Sequence, residues 1–415
     1  ICTGTLFTDN NCDLKCSSVK RLYATKINRT YCDLPLAQVF NPYTTGLRGN
    51  WRLQSSFAYH TDRENKLPYI KPGEPDVLEK TDIRKSGAYL SFTSFWKYDN
   101  GQWLAQSNGA GKDANWVKAN ETTLFNRHGG QVENKDVINR YSAVQFGYLQ
   151  SAVTAIAANA NYSEIGYDGF EDYDFLTDNC NSTDSCNLDG HFSVRKLSRK
   201  YPAGIAPDAA YAHTGRNSLK VSNTAPEASI IKTITRVNNT GLYTFNGNAM
   251  LLAEPGIVSD FKPVAGRQYL LSVWIKDDGN NIQIGPSPDP SKAAVEIVTG
   301  GQTFSTIKAG PRVEGWRKTE VVFSIPASAT TIKIKFRPGS ATAWFDDIRI
   351  HPFDAQLKTY AYDNRSMRLW AELDENNFAT FYEYDDEGIL IRIKKETEKG
   401  IMTVKESRST YRLKN

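Results

Sequence analysis

The chain has 415 residues, 50 Lys+Arg against 46 Asp+Glu for a formal charge of +4, and 12% aromatic residues. That length supplies core for two or three domains, and the near balance of charge excludes a nucleic-acid binder built on a large basic surplus. No stretch of eighteen or more apolar residues occurs, which excludes a spanning helix.

Tyr, Phe and Trp number 21, 19 and 8, and with the β-branched residues they recur in short alternating stretches broken by Gly, Asn and Asp. This pattern predicts an all-β protein of sandwiches or barrels. Residues 1–35 form a Cys-rich entry segment with Cys2, Cys12, Cys16 and Cys32. The reading is two disulfides, with three pairings open; zinc is the alternative, but the paired C-x-x-C knuckles are missing. Residues 36–162 read as a β-rich region with aromatic strands at Ala88 to Trp96 and Tyr141 to Tyr148. One short helix is predicted inside it, over the Ala-rich stretch Ser151 to Ala160, as a buried connector.

A new β domain is predicted over 163–354, interrupted by an insertion at 176–210 that is rich in Asn, Asp and Ser and closed by a Cys180/Cys186 bridge. Disulfides point to an exported chain, extracellular or at the cell surface, and the sequons at Asn28, Asn120, Asn161, Asn181, Asn238 and Asn364, triplets common by chance, fit it. In the run from Tyr269 to Ile275, alternation puts Tyr269, Leu271, Val273 and Ile275 on the core face and Leu270, Ser272 and Trp274 on the other. Val321, Phe323 and Ile325, and Ile332, Ile334 and Phe336, alternate likewise, so two sheets must cover each other.

Four pieces in order, Gly169-Phe-Glu171, His213-Thr-Gly-Arg-Asn-Ser-Leu-Lys-Val221, Gly315-Trp-Arg317 and Trp344-Phe-Asp-Asp-Ile348, resemble the jelly-roll carbohydrate-binding modules of the cellulose- and xylan-binding kind. The resemblance runs from about Glu164 to about Phe353 and departs from the pattern at the Cys-containing insertion. It implies a β-sandwich with a structural Ca²⁺ where the first and last strands meet, since calcium takes hard oxygen ligands. At matching positions Glu171 and Asp347 offer carboxylates, the turn Gly215 to Asn217 offers carbonyls, and Asp346 is the alternative acid. Such modules stack sugars on aromatic faces, and Trp274, off the core face, is the expected platform, with Tyr243 and Phe245 beside it.

Residues 355–415 contain an internal repeat. Thr359-Tyr-Ala-Tyr-Asp363 returns as Phe381-Tyr-Glu-Tyr-Asp385, a period of 22. It is similar to the YD repeats of the RHS family, whose units form successive β-hairpins. Gln145-Phe-Gly-Tyr148 has a looser form of the same character, so the two flanks are expected to belong to one architecture interrupted by the jelly roll.

The five histidines, His60, His128, His191, His213 and His351, form no H-E-x-x-H, and no G-x-S-x-G elbow or P-loop occurs. The leading reading is a non-catalytic exported or cell-surface protein, part of a longer YD-repeat chain in a Gram-negative surface context. It acts in adhesion or scaffolding, with a glycan or a cell-surface protein as partner. The alternatives are a polysaccharide-processing enzyme with an accessory binding module, and a toxin-delivery shell fragment of the RHS type.

Overall fold

The computed structural model describes residues 6–8, 14–16, 53–59, 93–106, 114–126, 130–173, 191–194, 204–224, 228–234, 244–245, 248–249, 261–277 and 281–407. These are 58% strand and 3% helical, with no helix of seven residues or more, as the aromatic and β-branched composition predicts. No helix among them is long and apolar enough to cross a membrane. Two compact units divide the chain: residues 40–123 with 134–140, and the remainder. Cys2, Cys12, Cys32, Cys180, Cys186 and Tyr243 lie outside the described residues, as do the side chains of Cys16 and Phe245.

In the smaller unit Ser55–Tyr59 pairs antiparallel with the start of Trp116–Phe125, from Ser55 opposite Glu121 to Tyr59 opposite Trp116. A second hairpin joins Trp96–Asp99 to Gln102–Ala105, with Tyr98 directly opposite Trp103. An aromatic cluster ties the two: Phe95 lies 4.7 Å from Phe57 and 5.1 Å from Trp116, whose Nε1 donates to Thr93 O at 2.8 Å.

The larger unit is a two-sheet sandwich set into a longer sheet. One sandwich sheet runs, in spatial order, Ile205–Asp208, Ser218–Val221, Ala343–Pro352, Gln268–Asp277, Trp316–Ser324 and Lys308–Val313, with Gly166–Asp168 also on Ala343–Pro352. The facing sheet is Ala228–Thr233, Thr331–Arg337, Ala294–Thr299 and Gln302–Phe304. The core between them contains Tyr269, Leu271, Val273 and Ile275, together with Val321, Phe323, Ile332, Ile334 and Phe336, the faces that alternation assigned inward. The predicted insertion 176–210 contains framework at both described places: Phe192 and Val194 are buried in this core, and Ile205–Asp208 is a sheet strand.

The helix expected at Ser151 to Ala160 is instead the strand Ala152–Ala158, flanked by Tyr141–Gly147 and Gln356–Tyr362. Ala155 and Ala157 are buried between neighbours and Ile156 points out. The high helix propensity of Ala is overridden because its small side chain lets the sheet press closely on the sandwich, where Ala143, Ile165, Tyr167 and Leu357 fill the interface.

The sheet continues from Gln356–Tyr362 through Leu369–Leu373, Ala379–Tyr384, Leu390–Thr397 and Gly400–Glu406. The strands ending at Tyr362, Tyr384 and Glu406 keep the period of 22, so the hairpin register extends one unit past the letters that announced it. Each repeated Asp closes a turn. The Asp363 carboxylate accepts from the Ser366 N–H and hydroxyl, and the Asp385 carboxylate accepts from Ile389 N at 2.7 Å. At Gly388, φ is +86°, and a Cβ there would fall on the Arg368 guanidinium.

Where the sandwich enters and leaves this sheet, Arg267 holds both crossings. Its Nη1 donates to Glu164 Oε2 at 2.7 Å, and its Nη2 to Asp354 Oδ1 at 2.9 Å and Asn159 O at 3.1 Å. On the exit strand, His351 is buried; Nδ1 bonds Pro352 O at 2.8 Å and Nε2 has no partner. Burial, with the Arg349 charge adding to it, holds this imidazole down at about 4. A depressed base contributes stability above its unfolded value near 6.5 and loses it as pH falls through 4, up to about 3 kcal/mol. The His351→Gln variant is therefore expected to be less acid-sensitive than the parent between pH 6.5 and 4. Buried acids elsewhere act with the opposite sign, so the readout is the difference between the two urea-unfolding curves; parallel curves would refute the assignment.

Candidate functional site

A buried cluster of acidic side chains lies where the strand pairing along Ala343–Pro352 is interrupted. Ser218–Val221 pairs with 343–345 of that strand and Gly166–Asp168 with 348–350, leaving Asp346 and Asp347 in the gap. On the other edge the register with Gln268–Asp277 slips between Ser272 and Trp274, and Asp347 takes φ +47°. This bulge aims two adjacent carboxylates at the incoming turn 213–217 instead of at opposite faces of the sheet.

Every acid there is held by named donors except at one atom. Asp346 Oδ2 accepts from His213 N at 2.7 Å, and its Oδ1 from Asp347 N at 2.7 Å. Asp347 Oδ1 accepts from the Tyr167 hydroxyl at 3.0 Å and the Thr214 hydroxyl at 2.9 Å, while Oδ2 meets His213 Nδ1 at 2.7 Å. Glu171 Oε1 accepts from Arg216 N and Asn217 N, both at 2.7 Å; Glu171 Oε2 is buried with no partner. Burial pushes Glu171 up to about 8 against those two N–H groups. Burial, then the neighbouring Asp347, raises Asp346 well above the carboxylate range.

Glu171, Asp346, Asp347 and the Gly215–Asn217 turn, the set the resemblance implies for calcium, share one cage, but the turn meets Glu171 with N–H groups and not with the expected carbonyls. Gly215, at φ +64°, brings backbone so close that a Cβ would fall on the Glu171 carboxylate. Both oxygens of Asp346 and of Asp347 are taken by protein donors, and among the described residues no group of three or more His, Cys, Asp or Glu side chains could hold a metal ion. A cage lined by N–H and O–H donors does not fit a hard cation, which takes oxygen ligands.

His213 links this cage to the C-terminal hairpins. Its Nε2 lies 3.0 Å from Glu396 Oε1, and Glu396 Oε2 accepts from Ala379 N at 3.0 Å. Burial alone would depress the imidazole; Glu396 and Asp347 outweigh it and hold it up at about 9. Sequence reasoning placed His213 in the turn motif but had no signal for Glu396, 183 residues away.

Trp274 does not serve as a sugar platform in this fold. It is 1% exposed, stacked on His213 at 4.0 Å and 16°, with the Phe378 ring edge-on at 5.9 Å and its Nε1 donating to Asn377 O at 2.8 Å. Alternation correctly took it off the sandwich core, but the far face is covered by the hairpins, where Trp274, Val313, Trp316 and Trp344 pack with Phe378 and Ile401. The three most exposed aromatic rings among the described residues lie in the smaller unit: Trp96, Tyr98 and Trp103 are 55%, 60% and 66% exposed on the hairpin's one face, with Tyr98 and Trp103 5.2 Å apart.

A cleft opens between the sandwich's first strand and the long sheet, lined among others by Tyr148, Asp168, Glu171, Asp172 and Tyr360. Burial raises Asp168 to about 7, although its carboxylate accepts from the Tyr173 hydroxyl at 2.6 Å and from Val194 N and Phe170 N at 3.0 Å.

No family model matches the chain, and no curated protein matches it. Among solved structures it is similar to the CBM22-1-GH10 modules of the Clostridium thermocellum endo-1,4-beta-D-xylanase 10B complexed with xylohexaose, at 14% identity and TM-score 0.21, covering 36% of this chain and 24% of that one. It is also similar to the C-terminal family 22 carbohydrate-binding module of the same enzyme, at 15% identity and TM-score 0.21, covering 37% and 83%. The third is a xylan-binding domain of family 22, at 16% identity and TM-score 0.21, covering 36% and 83%.

Proposed function

We propose that the protein is a non-catalytic, exported or cell-surface adhesion or scaffolding protein that recognises glycan, with the sandwich serving as frame and the hairpin Trp96–Ala105 as contact. The observation that carries this reading is the one-sided display of Trp96, Tyr98 and Trp103, the group of large aromatic rings most open to solvent among the described residues. Flat, amphipathic rings suit the C–H faces of pyranoses, and their cross-strand pairing fixes their spacing before a ligand arrives. The hairpin carries Lys97 against Asp99, so it offers no net charge and suits a neutral polysaccharide better than an acidic one. In this reading the 22-residue hairpins are YD-repeat-like scaffold, and the hydrogen-bonded Glu171 cage stiffens the frame.

A screen of the whole chain against soluble and insoluble polysaccharides in calcium buffer tests it. Binding is expected to weaken by at least about tenfold in Trp103→Ala, about 1.4 kcal/mol, with the melting temperature unchanged, because an exposed ring contributes little to folding. Failure to bind any glycan would overturn the glycan reading and leave a protein partner; full binding by a Trp96→Ala/Trp103→Ala double variant would remove the hairpin as the contact.

A further inference from the structure

The hairpin of exposed rings is more than an apolar patch, because its backbone fixes how the rings face. Trp96–Asp99 and Gln102–Ala105 form a sheet of two strands, with no third strand paired to it among the described residues. Asn100 and Gly101 join them at φ +48° and +80°, the two positive values that a tight Asn-Gly turn requires. Such a turn matches the right-handed twist of its strands, and a two-stranded ribbon twists more than a wide sheet. The platform is therefore twisted in the free protein.

The ring pair on it is inclined as well. Tyr98 and Trp103 are register partners and lie on the same face, yet their planes make an angle of 58° at a centroid distance of 5.2 Å. Trp96 follows on that face two residues, about 6.6 Å, along the strand, opposite the small Ala105. Behind it Phe95 meets it edge-on at 5.2 Å and 90°, and Phe95 is itself packed on Phe57 and Trp116. Lys97 and Asp99 alternate onto the other face, which leaves the ring face without a charged side chain.

A pyranose stacks its C–H face on an aromatic face, so the inclination between adjacent rings sets the turn between the sugars they hold. In a flat ribbon such as a cellulose chain, successive sugars keep one common plane. Laid on Trp103, that plane would meet Tyr98 at 58° and one of the two stacking faces would be lost. A chain whose successive sugars turn, as in laminarin or amylose, presents inclined faces to inclined rings.

We propose that the hairpin reads chain shape: Tyr98 and Trp103 together hold neighbouring pyranoses of an uncharged, helically turning polysaccharide and discriminate against flat ribbons of the same sugar. This rests on the glycan reading given above and narrows it to one class of polymer. The uncharged ring face matches a neutral chain, and a ring pair locked by its turn loses little freedom on binding.

Titration calorimetry of the full chain with glucose oligosaccharides of equal length tests it, laminari- and malto-oligosaccharides as turning chains against cello-oligosaccharides as ribbons. Turning chains are expected to bind at least about tenfold more tightly than ribbons, and Tyr98→Ala to weaken them by about tenfold, as much as Trp103→Ala does. Tyr98→Phe keeps the ring and should stay within about threefold of the parent, which separates stacking from a hydrogen bond by the hydroxyl. Ribbons bound as tightly as turning chains, or a Tyr98→Ala variant that binds turning chains like the parent, would overturn the shape reading and leave glycan recognition in place. Binding to none of these glucans while another polysaccharide is held would overturn it equally. Absence of binding to every polysaccharide would overturn both readings.

Discussion

Replacing Arg349 with Met is expected to lower the stability of the larger unit by about 3–5 kcal/mol, a large fraction of what a domain possesses. Arg349 is 1% exposed and bonds no carboxylate. Its Nη1 donates to Leu357 O at 3.1 Å and Asp374 O at 2.7 Å, and its Nη2 to Glu375 O at 3.1 Å. One guanidinium from the sandwich's last strand thus supplies the donors for three main-chain carbonyls of the hairpin sheet. Burial lowers it only to about 10, so it is charged in neutral solution and those carbonyls see a cation. Met keeps the volume but leaves the acceptors buried and unpaired, the costly side of the hydrogen-bond balance. Lys restores the charge but not the planar fork, and should recover less than half of the loss. Urea unfolding followed by Trp fluorescence reads both variants. A loss below about 1 kcal/mol in Arg349→Met would show that water replaces the guanidinium at that joint.

The second large effect is at Trp274. Trp274→Ala is expected to cost about 3–5 kcal/mol, because it empties the space between His213, Phe378 and the neighbouring strands and leaves Asn377 O without its donor. Whatever glycan the folded protein binds should be bound by the folded fraction of this variant with unchanged affinity. The two exposed-ring and buried-ring variants form a matched pair: Trp103→Ala changes binding and not melting, Trp274→Ala changes melting and not binding. An unaltered melting temperature with lost binding in Trp274→Ala would restore that ring as a platform and remove the hairpin from the proposal.

The sandwich was largely legible in the sequence because alternation at period two is a statement about one strand and its own two faces. Tyr269 to Ile275 and Ile332 to Phe336 needed no knowledge of their partners. The continuity of the flanks was expected from the looser Gln145-Phe-Gly-Tyr148 stretch, and Ala152–Ala158 does pair with Gln356–Tyr362. What failed was information held by distant residues. Ala152–Ala158 reads as helix in isolation and becomes a strand only because Tyr141–Gly147 and Gln356–Tyr362 offer it edges. Trp274 is off the sandwich core, as alternation requires, but alternation cannot say that Phe378 and Asn377 cover the second face. The acids of the cage were found by motif order, whereas Glu396 and Arg349 act through contacts that no local spacing encodes. The third hairpin register, at Gly400–Glu406, kept its period after losing its letters, which shows that strand length and turn geometry outlast the Tyr and Asp side chains as the repeat's defining content.

The point of entry of the sandwich has a further consequence. Ala158 and Gln356 are register partners on adjacent strands, so the sandwich leaves and rejoins the sheet within about one strand spacing, roughly 4.8 Å. Measured by chain path alone, the domain is a side branch: a two-residue turn could close the sheet behind it and leave every ladder intact. Measured by side chains it is no branch, since Arg267 straps both crossings while Arg349 and His213 supply the donors for Asp374 O and Glu396. Exchange of this sandwich for another would therefore be topologically free and chemically expensive, and a host sheet that carries Glu396 and Asn377 has become adapted to one particular guest.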